Sequence, residues 1–178
     1  MSTSLEDLRM LQTMEMIADG IWGQVIKWET FAKNTVGEQL TRAVDSIGAN
    51  IAESFGRFHY GEKLKFLYYA RGSLFETKYW LNRTSARNLM PSELTQTYTH
   101  QLSGLARQIN AFANSLKTQR SSNQQIRETH APYITDDGEE IPLPLFNELE
   151  LQWLQTLPND TQSLLSNYQS SHLQSPNL

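Results

Sequence analysis

Downstream of Leu40 the apolar residues are Ala43, Val44, Ile47, Ile51, Ala52 and Phe55, at offsets of three, four, seven, eleven, twelve and fifteen. That spacing matches a period of 3.6, so the stretch predicts an amphipathic α-helix with one apolar face. Gly56 and Gly61 bracket Arg57–Tyr60 and predict an exit and a turn. A longer helix is then predicted over Glu62–Asn88. Leu64, Leu67, Tyr68, Leu74, Phe75 and Leu81 give it one face, and Phe66, Tyr69, Ala70 and Tyr79 broaden that face. One antiparallel neighbour cannot cover so wide a surface, which calls for two helical neighbours or another subunit.

Two further helices flank this pair. Leu5–Lys33 carries Leu8, Leu11, Met14, Ile17, Ile21, Val25, Ile26 and Phe31 at helical spacing. Gly20 and Gly23 interrupt it, each at about 1 kcal/mol relative to alanine, which suits a bend or a start near Thr13. Trp22 and Trp28 lie six apart and do not share a narrow stripe, so one is expected in the core and the other against a neighbouring helix or subunit. Lys33–Gly37 is expected to break the pattern, with Asn34 or Thr35 capping the next helix. Beyond the third helix, Met90-Pro91-Ser92-Glu93 is a strong punctuation in which Ser92 can cap and Glu93 meets the positive end of the dipole. Leu94, Tyr98, Leu102, Leu105, Ala106, Ile109, Phe112, Ala113 and Leu116 trace a fourth helix ending near Lys117. Four such helices with short connectors predict an all-α fold, an antiparallel up-down-up-down four-helix bundle over residues 1–120.

Residues 121–178 read as a C-terminal extension of different character. Gln, Asn and Ser supply 19 of its 58 residues, and its net charge is −7 against +3 for residues 1–120. The overall −4 therefore describes neither part. Asp137-Gly138 suggests a small hairpin over 133–141. Leu145–Leu157, between Pro144 and Pro158, places Phe146, Leu149, Trp153, Leu154 and Leu157 on one helical face. So short a helix is unstable alone, and it must dock on the bundle or on a partner.

Several chemistries lack their residues. Without cysteine there are no disulfides or thiolate ligands. None of His59, His100, His130 and His172 follows a glutamate by three residues, so the Glu-x-x-His pattern of di-metal bundles is missing. The phosphate-binding glycine loop and the serine nucleophile elbow are missing too. We expect no catalytic residues, no metal, no cofactor and no small-molecule substrate. Without a long apolar run or a leader-like N-terminus, a cytoplasmic location without membrane contact is expected.

The small and polar residues Arg42, Ser46, Asn50, Glu53, Ser73 and Glu76 are expected to form the seam between the two central helices. Glu53 and Glu76 would there pair with Arg57 and Arg42 across the interface rather than act as an acid/base couple. Gly72 would allow close helix approach, as would Ser46, Gly48, Ala49 and Ala52. Removing Glu53 from a buried pair would cost about 3–5 kcal/mol. Arg57–Met90 also holds seven basic residues, Arg57, Lys63, Lys65, Arg71, Lys78, Arg83 and Arg87, against Glu62 and Glu76, a net +5. They form either a solvated face or an anion-binding one.

Two linked runs carry a resemblance. The first is Gln39-Leu40-x-Arg42-Ala43-x-x-Ser46-Ile47-x-Ala49-Asn50-Ile51-Ala52-Glu53-x-x-Gly56-Arg57, and the second is Phe66-Leu67-x-x-Ala70-x-Gly72-Ser73-Leu74-x-Glu76. Together they resemble the signature of four-helix-bundle proteins encoded by intervening sequences in bacterial ribosomal RNA genes, and of the related accessory variability determinants of diversity-generating retroelements. Ser54 and Gly48 depart from that pattern, each by a small-for-small exchange. The resemblance, over roughly residues 13–118, implies a homopentameric ring without enzymatic activity. In the retroelement members it implies basic surfaces that engage a reverse transcriptase and nucleic acid.

Two readings follow. In the first, the third helix binds RNA or a nucleic-acid-processing, reverse transcriptase-like protein. In the second, the chain is a protein-binding accessory or scaffold module that docks through Leu145–Leu157.

Overall fold

The computed structural model describes residues 5–123, 141 and 143–156. Helix α1 spans Leu5–Val25, α2 Glu38–Gly56, α3 Tyr60–Ala86, α4 Ser92–Asn123 and α5 Glu148–Gln155. The fold is all-α, a bundle in which α2 packs most extensively against α3. The expected hairpin lies outside the described residues.

In α1 the buried residues are Met10, Met14, Ile17, Ile21 and Val25, a stripe with steps of three and four. Met14 lies against Gly48 and Val25 against Gly37, so α1 and α2 run antiparallel. Gly20 has a packing reason, because a Cβ there would stand 2.7 Å from the Tyr98 hydroxyl of α4. Trp28 packs half-buried against the core, while Trp22 is 56% exposed.

The break between the first two helices falls earlier than the sequence suggests. The chain leaves α1 after Val25 and resumes with a helical turn, Thr30–Ala32. It then passes through a π-helical turn, Lys33–Gly37, directly into α2. Thr35 caps nothing there, because its hydroxyl donates back to the Phe31 carbonyl at 2.7 Å. The wider turn, closed by i→i+5 hydrogen bonds, leaves Val36, Gly37 and Leu40 all buried. Gly37 is needed at the contact, since a Cβ would lie 2.6 Å from Val25 Cγ1.

Leu40, Ala43, Val44, Ile47 and Ile51 of α2 are buried as the periodicity requires, and Phe55 stacks on Phe112 with ring centroids 5.1 Å apart. Ala49 and Ala52 instead face outward, and a Cβ on Gly72 would meet nothing within 4 Å among the described residues. Within the chain, the close crossing at this register involves Gly48, whose Cβ would lie 3.3 Å from Met14.

Helix α3 ends in a Schellman motif. Asn88 takes the left-handed conformation (φ 53°), Leu89 N–H donates to the Thr84 carbonyl and Asn88 N–H to that of Ser85. The Pro91 carbonyl then accepts from Leu94 and Thr95, starting α4 at Ser92. This last bundle helix runs past the expected Lys117 to Asn123.

The C-terminal segment is built into the core. Ile141, Leu145, Phe146, Leu151 and Leu154 are buried and belong to the same apolar cluster as the bundle. Burying a side chain of this size stabilises by about 1.5–3 kcal/mol. A capping box starts α5, with Glu150 N–H donating to Asn147 Oδ1 at 3.0 Å and Asn147 N–H to Glu150 Oε2 at 2.9 Å. The helix therefore begins at Glu148, three residues later than its apolar pattern suggested. Leu151 and Leu154 turn inward, and Leu149 is left 58% exposed.

Candidate nucleic-acid interface on the third helix

The seam between α2 and α3 consists of neutral groups. Ser73 Oγ donates to Ser46 Oγ at 3.1 Å, and Asn50 Nδ2 donates to the Ser46 carbonyl at 2.8 Å. The charged residues expected beside them stand elsewhere. Glu53 is exposed and pairs with Arg57 one turn along its own helical path, not across the interface. Glu76 is also exposed, with Trp80 Nε1 3.5 Å from its carboxylate, and exposed Arg42 bonds to Gln39. The reason is angular. Positions 42, 49 and 53 recur at near-integral numbers of turns on the side of α2 facing away from its buried stripe.

The basic residues of the third-helix region fall into two groups. Arg57, Lys65 and Arg83 lie along the outer surface, each with its charge near a ring. The Arg57 guanidinium is 4.5 Å from the Phe66 centroid, Lys65 Nζ is 5.8 Å from that of Tyr69, and Arg83 is 5.8 Å from that of Tyr79. Tyr69 is 38% and Tyr79 51% exposed. Arg83 Nε is covered and has no hydrogen-bond partner among the described residues. Lys63 is half-buried, and Arg87, at the helix end, is exposed.

Arg71 and Lys78 form the second group, and the C-terminal segment takes both. Arg71 donates through Nε to the Leu145 carbonyl and pairs with Glu150. Its guanidinium lies 4.7 Å from the Phe75 centroid. Lys78 has no exposed surface. Its ammonium donates to Asn82 Oδ1 at 2.9 Å and to the Thr156 carbonyl at the end of α5, and stands 5.7 Å from the Trp153 ring. Burial lowers its pKa to about 8, because the charged form loses its water. Phe146 and Trp153 stack on Phe75, with centroids at 5.9 and 5.4 Å and planes within 5° and 12°.

Sequence reasoning missed this aromatic stack and its α4 partner Asn110, which binds the Phe146 main chain through both amide atoms. The legible signal was Asn147-x-x-Glu150, a capping box just ahead of an apolar run.

A family model described as 23S rRNA-intervening sequence protein matches residues 6–111. The chain belongs to that family. Comparison with curated proteins finds no match. The family match takes in α1, α2, α3 and most of α4, so it includes both groups of cations but stops short of the segment that covers the second. Among the described residues, no group of three or more His, Cys, Asp or Glu could hold a metal ion, and no helix is long and apolar enough to cross a membrane.

Proposed function

We propose that this intervening-sequence family member is a non-enzymatic, homo-oligomeric protein that binds RNA through the outer face of α3. The observation that carries the reading is the row of three cation–ring pairs, Arg57–Phe66, Lys65–Tyr69 and Arg83–Tyr79. Half-exposed rings offer stacking surfaces to bases, while guanidinium and ammonium groups meet phosphates. The family name, which refers to 23S rRNA, agrees with this class of partner. Arg71 and Lys78 do not join the surface while the C-terminal segment is seated. Self-association is assigned to a different face. Met16 and Trp22 on α1, and Ile26 and Phe31 beyond it, are exposed apolar side chains that a second copy would cover. The five-fold ring expected of the family is the form we propose, with mass by light scattering as its test.

The RNA reading is tested by fluorescence anisotropy of the full chain with a labelled RNA oligomer over a salt series. Binding should weaken steeply with salt. An Arg83→Glu/Arg87→Glu variant that keeps its helical circular dichroism should bind more weakly. Its salt slope should be shallower by about 0.7 for each phosphate of a single strand that it no longer neutralises. No RNA binding at low salt overturns the reading. RNA binding that is indifferent to these residues moves it off this face.

A further inference from the structure

The groove between α3 and α4 holds its occupant largely by the main chain. Asn110 Nδ2 donates to the Phe146 carbonyl at 2.7 Å while its Oδ1 accepts the Phe146 N–H at 2.8 Å. Arg71 donates to the carbonyl of Leu145, Ser103 to that of Leu151 at 3.4 Å, and Lys78 to that of Thr156. Thus four side chains from two helices grip four backbone positions between Leu145 and Thr156. Groups that bind peptide bonds hold any chain of suitable shape, and specificity comes from the pockets between them. Here Phe75 selects two rings, Phe146 and Trp153, and Arg71 selects a carboxylate at Glu150.

The groove residues lie inside the family match and the occupant lies outside it. Residues 124–140 join the two, and their contour length is up to about 56–61 Å. The distance to be bridged is much shorter. The segment doubles back along α4, with Phe146 at Asn110 and Leu151 at Ser103. From Asn123 to Asn110 the helix itself spans only about 20 Å. The connection therefore has contour length to spare beyond what its own groove requires. Because groove and segment are the same in every copy, an exchange between copies forms the same contacts.

We propose that the α3–α4 groove is a peptide-docking site that accepts residues 141–156 of a second copy as well as its own. Its ligand class is a Leu-Phe pair followed by an Asn-capped helix bearing Glu, Leu, Trp and Leu. The proposal is independent of RNA binding, since it uses the other side of α3.

The test uses full-length chains and a labelled peptide of residues 141–156, read by anisotropy. In the wild type the tethered segment competes at an effective concentration of about a millimolar, so the peptide binds poorly. The Phe146→Ala/Trp153→Ala variant keeps its groove and weakens its own segment, so it should bind the peptide at least about tenfold more tightly than wild type. Adding Asn110→Leu to that variant should abolish binding. A full-length Asn110→Leu chain, with a broken groove and a free segment, should displace the peptide and so act as the second copy. The proposal is overturned if the double variant, still helical by circular dichroism, does not take the peptide. Equal binding with and without Asn110, or failure of the full-length competitor, also overturns it. Should the double variant not fold, Trp153→Ala alone, losing a half-buried ring, replaces it under the same criteria.

Discussion

The outer and inner sides of α3 use the same ingredients to opposite ends. Outside, Arg57, Lys65 and Arg83 lie near Phe66, Tyr69 and Tyr79, the two tyrosines being exposed. Inside, Arg71 and Lys78 lie near Phe75 and Trp153, and the C-terminal segment closes over them. Basic and aromatic residues on one helix therefore do not define one surface. Their role depends on whether the positive charge meets water or a fixed carbonyl. On the inner side the partners are the backbone carbonyls of Leu145 and Thr156, the Asn82 amide oxygen and one carboxylate, Glu150.

The difference between the two sides is broken most severely by removing the ring that seats the segment. Phe146 is buried and stacked on Phe75. Phe146→Ala should cost about 3–5 kcal/mol, the range for large aromatic truncations in a core. Urea unfolding measures it, and Trp153 should move to a more polar environment at denaturant concentrations where the bundle is still helical. A loss below about 1 kcal/mol would mean that the segment contributes little to the inner side.

The next effect is set by pH and belongs to Lys78. Its folded pKa, about 8, lies below the 10.5 of the unfolded chain. Between these values the unfolded state binds more protons, so stability rises with pH from about 8 towards 10.5, and the gain is lost as pH falls back through 8. At about 1.36 kcal/mol per pH unit the increment is at most about 3 kcal/mol. Burial raises the pKa of Tyr98, which works in the opposite direction above pH 10. The measurement is therefore the difference between wild type and Lys78→Met in urea midpoint from pH 7.5 to 9.5. A parallel pair of curves would show that the ammonium is solvated, as on the outer side.

How far these two sides could be read in advance depends on the range of the interactions. The core of α2, from Leu40 to Phe55, was legible because its periodicity is local. The π-turn at Lys33–Gly37 was not, since it is selected by Val25 and Trp28 packing against Gly37. Lys78 looked like any other lysine on a basic helix. Its burial follows from Trp153 and Thr156, 75 and 78 residues further along. The serine pair Ser46–Ser73 was foreseeable as a seam, because small hydroxyls on facing stripes suit close helices. The acids on the same helices were misplaced because Glu53 and Glu76 fall on the exposed faces of those helices, outside the seam.

Glu53 gives the smallest effect and tests the outer side. In a buried interhelical bridge its loss would cost several kcal/mol, because a desolvated Arg57 would remain. In the structure both partners are well exposed, and Arg57 keeps the Phe66 ring beneath it. An exposed pair one turn apart contributes about 0.3–0.5 kcal/mol. Glu53→Ala should therefore shift the urea midpoint only slightly, with oligomeric mass unchanged. It should also strengthen RNA binding, since it removes the carboxylate that competes with phosphate for Arg57. A large loss of stability would instead place Glu53 against a neighbouring copy, making the outer face of α3 an assembly surface and excluding the RNA there.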